Sequence, residues 1–202
     1  IGNADVVVVY DAGGYMGAPR VWWTFRAFGH RDVFVLDGGM KKWLAEGRPV
    51  ESGRNEPAAA GRYRARFDPA RVRGMADLVA NIDTRAEQVI DARSRERFEG
   101  AAPEPWPGRR SGRIPGSRCM PYPIFADADT GVFKSASELR RLFADAGVDL
   151  GRPIVTTCGS GISAATITLA LARLGVDLGA VYDGSWAEWG LPGGPEIATG
   201  PA

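Results

Sequence analysis

Cys158 is the residue of this chain best placed to do chemistry. It follows the short, β-branched run Ile154-Val155-Thr156-Thr157, and two glycines, Gly159 and Gly161, come directly after it. From Ala164 to Leu174 the composition and apolar spacing are those of a helix. A strand–loop–helix turn of this kind aims successive backbone N–H groups, and the positive end of the helix dipole, at the sulfur. Such a setting stabilises an anionic sulfur, which is the nucleophilic form. A buried structural cysteine at a strand end is the plain alternative. The glycines weigh against it, because they open the backbone around the sulfur instead of covering it.

The loop also restricts the reaction. A tyrosine-phosphatase-like loop needs an arginine six residues after its cysteine, to clamp phosphoryl oxygens, and Ala164 stands there. No arginine or lysine lies between Cys158 and Arg173. The backbone cradle of Gly159, Gly161, Ile162, Ser163 and Ala164 is therefore neutral apart from its dipoles. Ser160 and Ser163 add hydroxyl donors. This suits a single anionic sulfur better than a phosphate dianion. A second group of interest is Arg93, Arg95 and Arg97, which follow a strand ending at Asp91. At that strand end they could face the cysteine loop, where arginine would bind a carboxylate bidentately. At least one of the three is expected to be an ordinary solvated charge.

The stretch Cys158-Gly159-Ser160-Gly161-Ile162-Ser163-Ala164 resembles the active loop of 3-mercaptopyruvate sulfurtransferases, within the rhodanese superfamily. That pattern is Cys-Gly-Ser-Gly-Val-Thr-Ala, so Ile162 and Ser163 are mild changes. Thiosulfate-type rhodaneses usually carry basic residues in the loop, and this one does not. The resemblance implies that Cys158 takes a sulfur from a small-molecule donor and becomes a persulfide, with Ser160 assisting. A thiol acceptor, cyanide or a thioredoxin-like protein then takes the sulfur. No metal or organic cofactor is implied. Arg97-Phe98-Glu99-Gly100 matches the family's Arg-Phe-x-Gly motif, which implies that Arg97 binds the donor carboxylate. The family's second arginine, in Glu-Pro-Arg, is replaced here by Trp106 of Glu104-Pro105-Trp106, so Arg109 or Arg110 is the expected substitute. The rival readings are a thiosulfate:cyanide sulfurtransferase and a non-catalytic rhodanese-like module that relays sulfur or docks a partner. The neutral loop argues against the first, and the presence of Cys158 against the second.

The elements that must position these residues come in two copies. Val33-Phe34-Val35-Leu36-Asp37-Gly38-Gly39 reads like Gly179-Ala180-Val181-Tyr182-Asp183-Gly184-Ser185, at an offset of 146 residues. Val6 to Asp11 matches the run ending at Cys158, so Asp11 stands where the second copy has its cysteine. A carboxylate cannot accept a sulfane sulfur, and the first copy therefore reads as inactive. Its stretch Ala18-Pro19-Arg20-Val21-Trp22-Trp23 resembles the non-catalytic domain of two-domain sulfurtransferases. The expected organisation is the back half of an inactive domain over residues 1–50, a linker over 51–61, and a catalytic domain over 62–202. Tyr63–Phe67 is expected to be that domain's first strand. The front half of the first copy is absent, and the family's acid–base Asp and His fall there. Strand Val6–Val9 is expected to be buried on both faces, so a second polypeptide or a longer protein should supply its neighbours.

Strands Val89–Asp91, Arg118–Met120, Ile154–Thr157 and Ala180–Tyr182 alternate with helices Asp77–Asn81, Ser137–Ala146, Ala164–Leu174 and Trp186–Trp189. This predicts an α/β fold, a parallel sheet flanked by helices, with the cysteine loop at the carboxyl end of a strand. The resemblance implies the rhodanese fold, with five strands in a complete domain.

Composition narrows the partners. The chain has 202 residues, 45% hydrophobic and 24% charged, and a net charge of +1, which gives no electrostatic case for nucleic acid or a membrane surface. No apolar run approaches a membrane span, and no signal peptide is visible. Two cysteines make no disulfide framework, and one histidine makes no metal cluster. A reactive free cysteine fits a reducing, cytoplasmic setting. The first residue is Ile1, so the chain reads as processed or incomplete. Cys119 is expected to be a packing residue and His30 a turn or surface residue, not a general base.

Overall fold

The computed structural model describes residues 1–12, 14–54, 61–176 and 179–201. At its centre, β4 (Gln88–Asp91), β6 (Ile154–Thr157) and β7 (Gly179–Tyr182) are buried at every position. Successive side chains of a strand point to opposite faces. Ile90, Ile154 and Val181 accordingly join one apolar cluster, while Val89, Val155, Ala180 and Tyr182 join another. Burial on both faces is why these strands are near-continuous apolar runs. With β3 (Val72–Arg73) and β5 (Arg118–Cys119) they form a five-stranded sheet in the order β3-β7-β6-β4-β5, parallel throughout. Every strand thus ends at the same edge, and the connections after β4, β6 and β7 meet there.

The helices follow from local chemistry. Before α5 (Ala136–Asp145), the Ser135 hydroxyl accepts from the Glu138 N–H and the Glu138 carboxylate accepts from the Ser135 N–H, a reciprocal cap. Leu139 and Phe143, four residues apart, form its buried face. In α6 (Ala164–Arg173) the residues Ala164, Ala165, Ile167, Ala170 and Leu171 are all buried. Their small side chains let the helix lie close to its neighbours. Three further helices complete this domain: α3 (Met75–Thr84), α4 (Arg95–Glu99) and α7 (Ser185–Trp189).

Ahead of them run β1 (Val7–Val9), α1 (Ala18–Ala27), β2 (Val33–Val35) and α2 (Gly39–Ala45). They repeat the order of β6, α6, β7 and α7, and their first residues precede those by 147, 146, 146 and 146 positions. β1 and β2 pair in parallel as a separate two-stranded sheet. Tyr15, Trp22, Trp23 and Ala27 share an apolar cluster with α6 residues. Across the same boundary the Phe133 N–H donates to Asp37 at 2.8 Å and Lys41 Nζ to the Ala128 carbonyl at 2.9 Å.

Two expectations are corrected. Val6–Val9 is not buried on both faces: Val7 and Val9 pack inward, but Val8 is 55% and Phe34 55% exposed. Among the described residues nothing covers that side of β1 and β2. Tyr63–Phe67 is extended but joins no sheet. Its backbone is spent on the first copy, with the Arg64 N–H on Asn3 Oδ1 at 2.7 Å and the Arg66 N–H on the Phe28 carbonyl at 2.9 Å. The edge strand is β3 instead. The linker expected over 51–61 falls largely on residues 55–60, outside the described residues. Among the described residues no helix is long and apolar enough to cross a membrane.

Candidate active site

Cys158 ends β6 and is 2% exposed. Its carbonyl accepts from the Trp186 N–H at 3.0 Å, and the Gly159 carbonyl accepts from the Ala187 N–H at 2.8 Å. In a trans peptide the C=O of one residue and the N–H of the next point in opposite directions. The Gly159 and Ser160 N–H groups therefore turn away from α7. Gly161 takes φ +78°, a left-handed turn, and the Ile162 and Ser163 carbonyls accept from Ala165 and Thr166 as α6 begins. Among the described residues, none of the N–H groups from Gly159 to Ala164 donates to a protein acceptor. The Ser160 hydroxyl is half-buried and also has no protein partner among them.

The first copy shows what this arrangement holds. Asp11 replaces the cysteine, and its carbonyl accepts from Met40 at 3.0 Å, just as Cys158 accepts from Trp186. Its carboxylate reaches the head of α1, where it accepts the N–H groups of Gly17 at 3.2 Å and Ala18 at 3.1 Å. Those residues correspond to Ser163 and Ala164. The turn of the first copy thus holds a fixed carboxylate at a helix N-terminus, and Cys158 stands at the equivalent position of the second.

Ser185 touches the cysteine's backbone, a contact that the sequence reading missed. It is fully buried at φ +50°, and its hydroxyl accepts the Cys158 N–H at 3.2 Å while donating to the Tyr182 carbonyl at 2.8 Å. A non-glycine residue in this conformation is strained and persists only where its surroundings hold it. The repeat carried the signal: the first copy has glycine at this position, Gly39, at φ +53°.

The three arginines after β4 have different fates. Arg93 is buried and grips Asp91 with two nitrogens, Glu104 with a third, and lies 4.1 Å from the Trp186 ring centroid. Burial disfavours its charge, but the Asp91 and Glu104 carboxylates outweigh that and hold it protonated. Arg93 is thus structural, and exposed Arg95 reaches only Glu99. Arg97 is the one beside the loop. A Cβ built on Gly159 would lie 3.0 Å from Arg97 Nη2 and 2.7 Å from the Trp106 ring. Arg97 is held by Glu104 and sits 5.9 Å from the Trp106 centroid. The indole that replaces the family's second arginine therefore borders the loop. Arg109 Nε donates to the carbonyl of Ala187 at 2.7 Å, the residue whose N–H holds Gly159. Arg110 spends its guanidinium on the carbonyls of Trp189 and Pro195, both at 2.9 Å, and faces the chain's last turns instead.

Cys119 and His30 stay outside this constellation. Burial and the Asp91 carboxylate push the Cys119 thiol up to about 11, and it lies 3.7 Å from the Arg93 carbonyl. His30 does sit in a turn, but buried, with Nε2 2.9 Å from the Asp5 carbonyl and its ring against Phe25 and Tyr63. Among the described residues there is no group of three or more potential metal ligands.

A parallel α/β sheet carrying a cysteine in a glycine-rich N–H cradle defines the class, and the chain belongs to the rhodanese-like domain family, which it matches over residues 2–46 and 75–191. It is 44% identical to the 3-mercaptopyruvate sulfurtransferase of Homo sapiens over 198 residues, covering 97% of this chain and 66% of that protein. It is likewise 44% identical to the thiosulfate sulfurtransferase of Cricetulus griseus, with 97% and 66% covered. Among solved structures, that of SseA from Escherichia coli, described with the rhodanese fold and mechanism of 3-mercaptopyruvate sulfotransferases, superposes with a TM-score of 0.81. The two are 34% identical, with 92% of this chain and 68% of that one covered. The chain spans about two thirds of the length of the curated relatives it matches.

Proposed function

We propose that this chain carries the catalytic part of a sulfurtransferase acting on 3-mercaptopyruvate. One observation carries the reading: six consecutive N–H groups follow a cysteine and have no protein acceptor among the described residues, in a turn whose twin binds a carboxylate. The Cys158 thiolate attacks the donor's sulfur. The carbon–sulfur bond breaks, its electron pair leaves with the pyruvate enolate, and the sulfur remains as a Cys158 persulfide. Oriented N–H groups stabilise the anionic sulfur before and after transfer without having to reorganise. The Ser160 hydroxyl polarises the departing enolate or passes it a proton. An incoming thiolate or cyanide then attacks the outer sulfur, the S–S bond breaks, and the Cys158 thiolate returns. The acceptor is a small thiol, cyanide or a thioredoxin-like protein, in a reducing compartment such as the cytoplasm.

Arg97 binds the donor carboxylate, with Arg109 as the nearer of the two candidate second cations. Residues 1–50 act as the back half of an inactive domain and 62–202 as the catalytic domain, with 51–61 joining them. The exposed face of β1 and β2 is where the other half of the inactive domain belongs, on the same or a second polypeptide. Thiosulfate as the main donor is the second reading, favoured by relatives of that name. The absence of cations within the loop disfavours it, because thiosulfate leaves behind a dianionic sulfite.

The direct test incubates the full protein with 3-mercaptopyruvate and maps its peptides by mass. The expected extra sulfur is on Cys158 and none on Cys119, whose thiol stays protonated at neutral pH. An unmodified Cys158 overturns the function. For donor recognition, Arg97→Ala should raise KM for 3-mercaptopyruvate about 10- to 100-fold more than for thiosulfate. A charge-assisted hydrogen bond to a carboxylate, about 1.5–3 kcal/mol, is lost for one donor only. Equal losses for both donors would make Arg97 a structural residue.

A further inference from the structure

We infer that Arg20, on α1 of the inactive copy, is a positioning residue for the Cys158 cradle; this deepens the reading of that site as a sulfur-anion cradle and rests on it. The loop is shaped from outside, by fixing its carbonyls. Two of them, on Cys158 and Gly159, are held by backbone N–H groups of α7. The Ile162 and Ser163 carbonyls are taken by Ala165 and Thr166 in the first turn of α6. Between these lies Gly161, and its carbonyl accepts from Arg20 Nη1 at 3.1 Å. Two side chains hold carbonyls of the loop among the described residues, Thr168 on Ala164 at 3.5 Å and Arg20 on Gly161, and of these Arg20 alone comes from outside the catalytic domain.

The consequence follows from peptide planarity. With the Gly161 carbonyl held toward α1, the Ile162 N–H must point the opposite way, to the inner side of the turn. Gly161, at φ +78°, has no side chain of its own to restrict that peptide. Without an external hold the plane can rotate and withdraw a donor from the sulfur. Arg20 is itself oriented on two sides. Asp183, at the end of β7, pairs with the same nitrogen, and the guanidinium lies 4.6 Å from the Trp23 ring centroid. A planar fork with several donors suits a task that joins a carbonyl to a carboxylate. The pair is compact: a Cβ built on Gly161 would meet Asp183 Oδ1 at 2.8 Å and Arg20 Nη1 at 3.0 Å.

A purely electrostatic role for Arg20 makes the opposite prediction for its partner. The experiment follows the pH dependence of Cys158 alkylation by iodoacetamide in the full protein, mapped by peptide mass. Arg20→Met and Asp183→Ala are compared with the parent. The other charged groups by the loop, Arg97 with Glu104 and Arg109, are unchanged in both variants. If Arg20 works by holding the carbonyl, each substitution removes an oriented donor from the thiolate. The alkylation midpoint should then move up in both, by about one pH unit. If Arg20 works only by its charge, removing Asp183 leaves the loop more positive and the midpoint moves down. A downward or absent shift in Asp183→Ala overturns the proposal, as does an unmoved midpoint in Arg20→Met. Should Arg20→Met fail to fold, Asp183→Ala decides alone. The parent's failure to form a persulfide would sink the sulfurtransferase reading without touching this one, since alkylation needs no sulfur donor.

Discussion

Cys158→Ser is expected to abolish sulfur transfer, lowering turnover by on the order of 10⁴-fold or more, because no other group can carry the sulfur. The fold should survive. Cys158 is buried, and a buried hydroxyl without partners would be costly. Here the N–H groups from Gly159 to Ala164 have no protein acceptor among the described residues, so the serine oxygen gains donors at once. The stability change should stay below about 1 kcal/mol, read as a denaturant midpoint. Residual turnover within tenfold of the parent would make Cys119 the nucleophile, since the chain has only two cysteines.

Gly161→Ala should lower both activity and stability. The residue sits at φ +78°, where a Cβ costs about 1–2 kcal/mol. The new atom would also lie 2.7 Å from the Asp183 carbonyl oxygen, which is backbone and cannot swing aside. The loop must move, and a shift of about 1 Å in the cradle is enough to lower kcat/KM by on the order of 10²-fold. Gly175→Ala is the matched control. It has φ +75° at the end of α6, but a Cβ there meets nothing within 4 Å. It should lose comparable stability and keep its turnover. Equal kinetic losses in the two variants would mean that strain, and not the crowding at Gly161, disables the enzyme.

What could be read from the sequence was what short-range chemistry decides. The run into Cys158 and the helix after it were legible because alternation, glycines and small apolar residues all agree within twenty residues. The repeat was visible once Asp11 was set against Cys158, and the element order bears it out. Tyr63–Phe67 misled because its alternation matches a strand, while its hydrogen bonds go to Asn3 and Phe28. Arg20 carried no local sign of a role, since its carboxylate partner is 163 residues away. Glu104 was similarly silent. Its place between Arg93 and Arg97 depends on how a loop without regular structure folds back over α4.

The single-ended sheet divides the labour between two connections. The attacking sulfur and its cradle belong to the segment after β6, whereas Arg97, Trp106 and Arg109 all lie between β4 and β5. The two connections meet at Gly159, which Arg97 and Trp106 border. If the donor is read by Arg97, Trp106 and Arg109, as proposed, its preference can be altered at these half-buried positions while the strand that ends at Cys158 is left in place. Trp106, which borders Gly159 beside Arg97, is the place where such a change would be felt first.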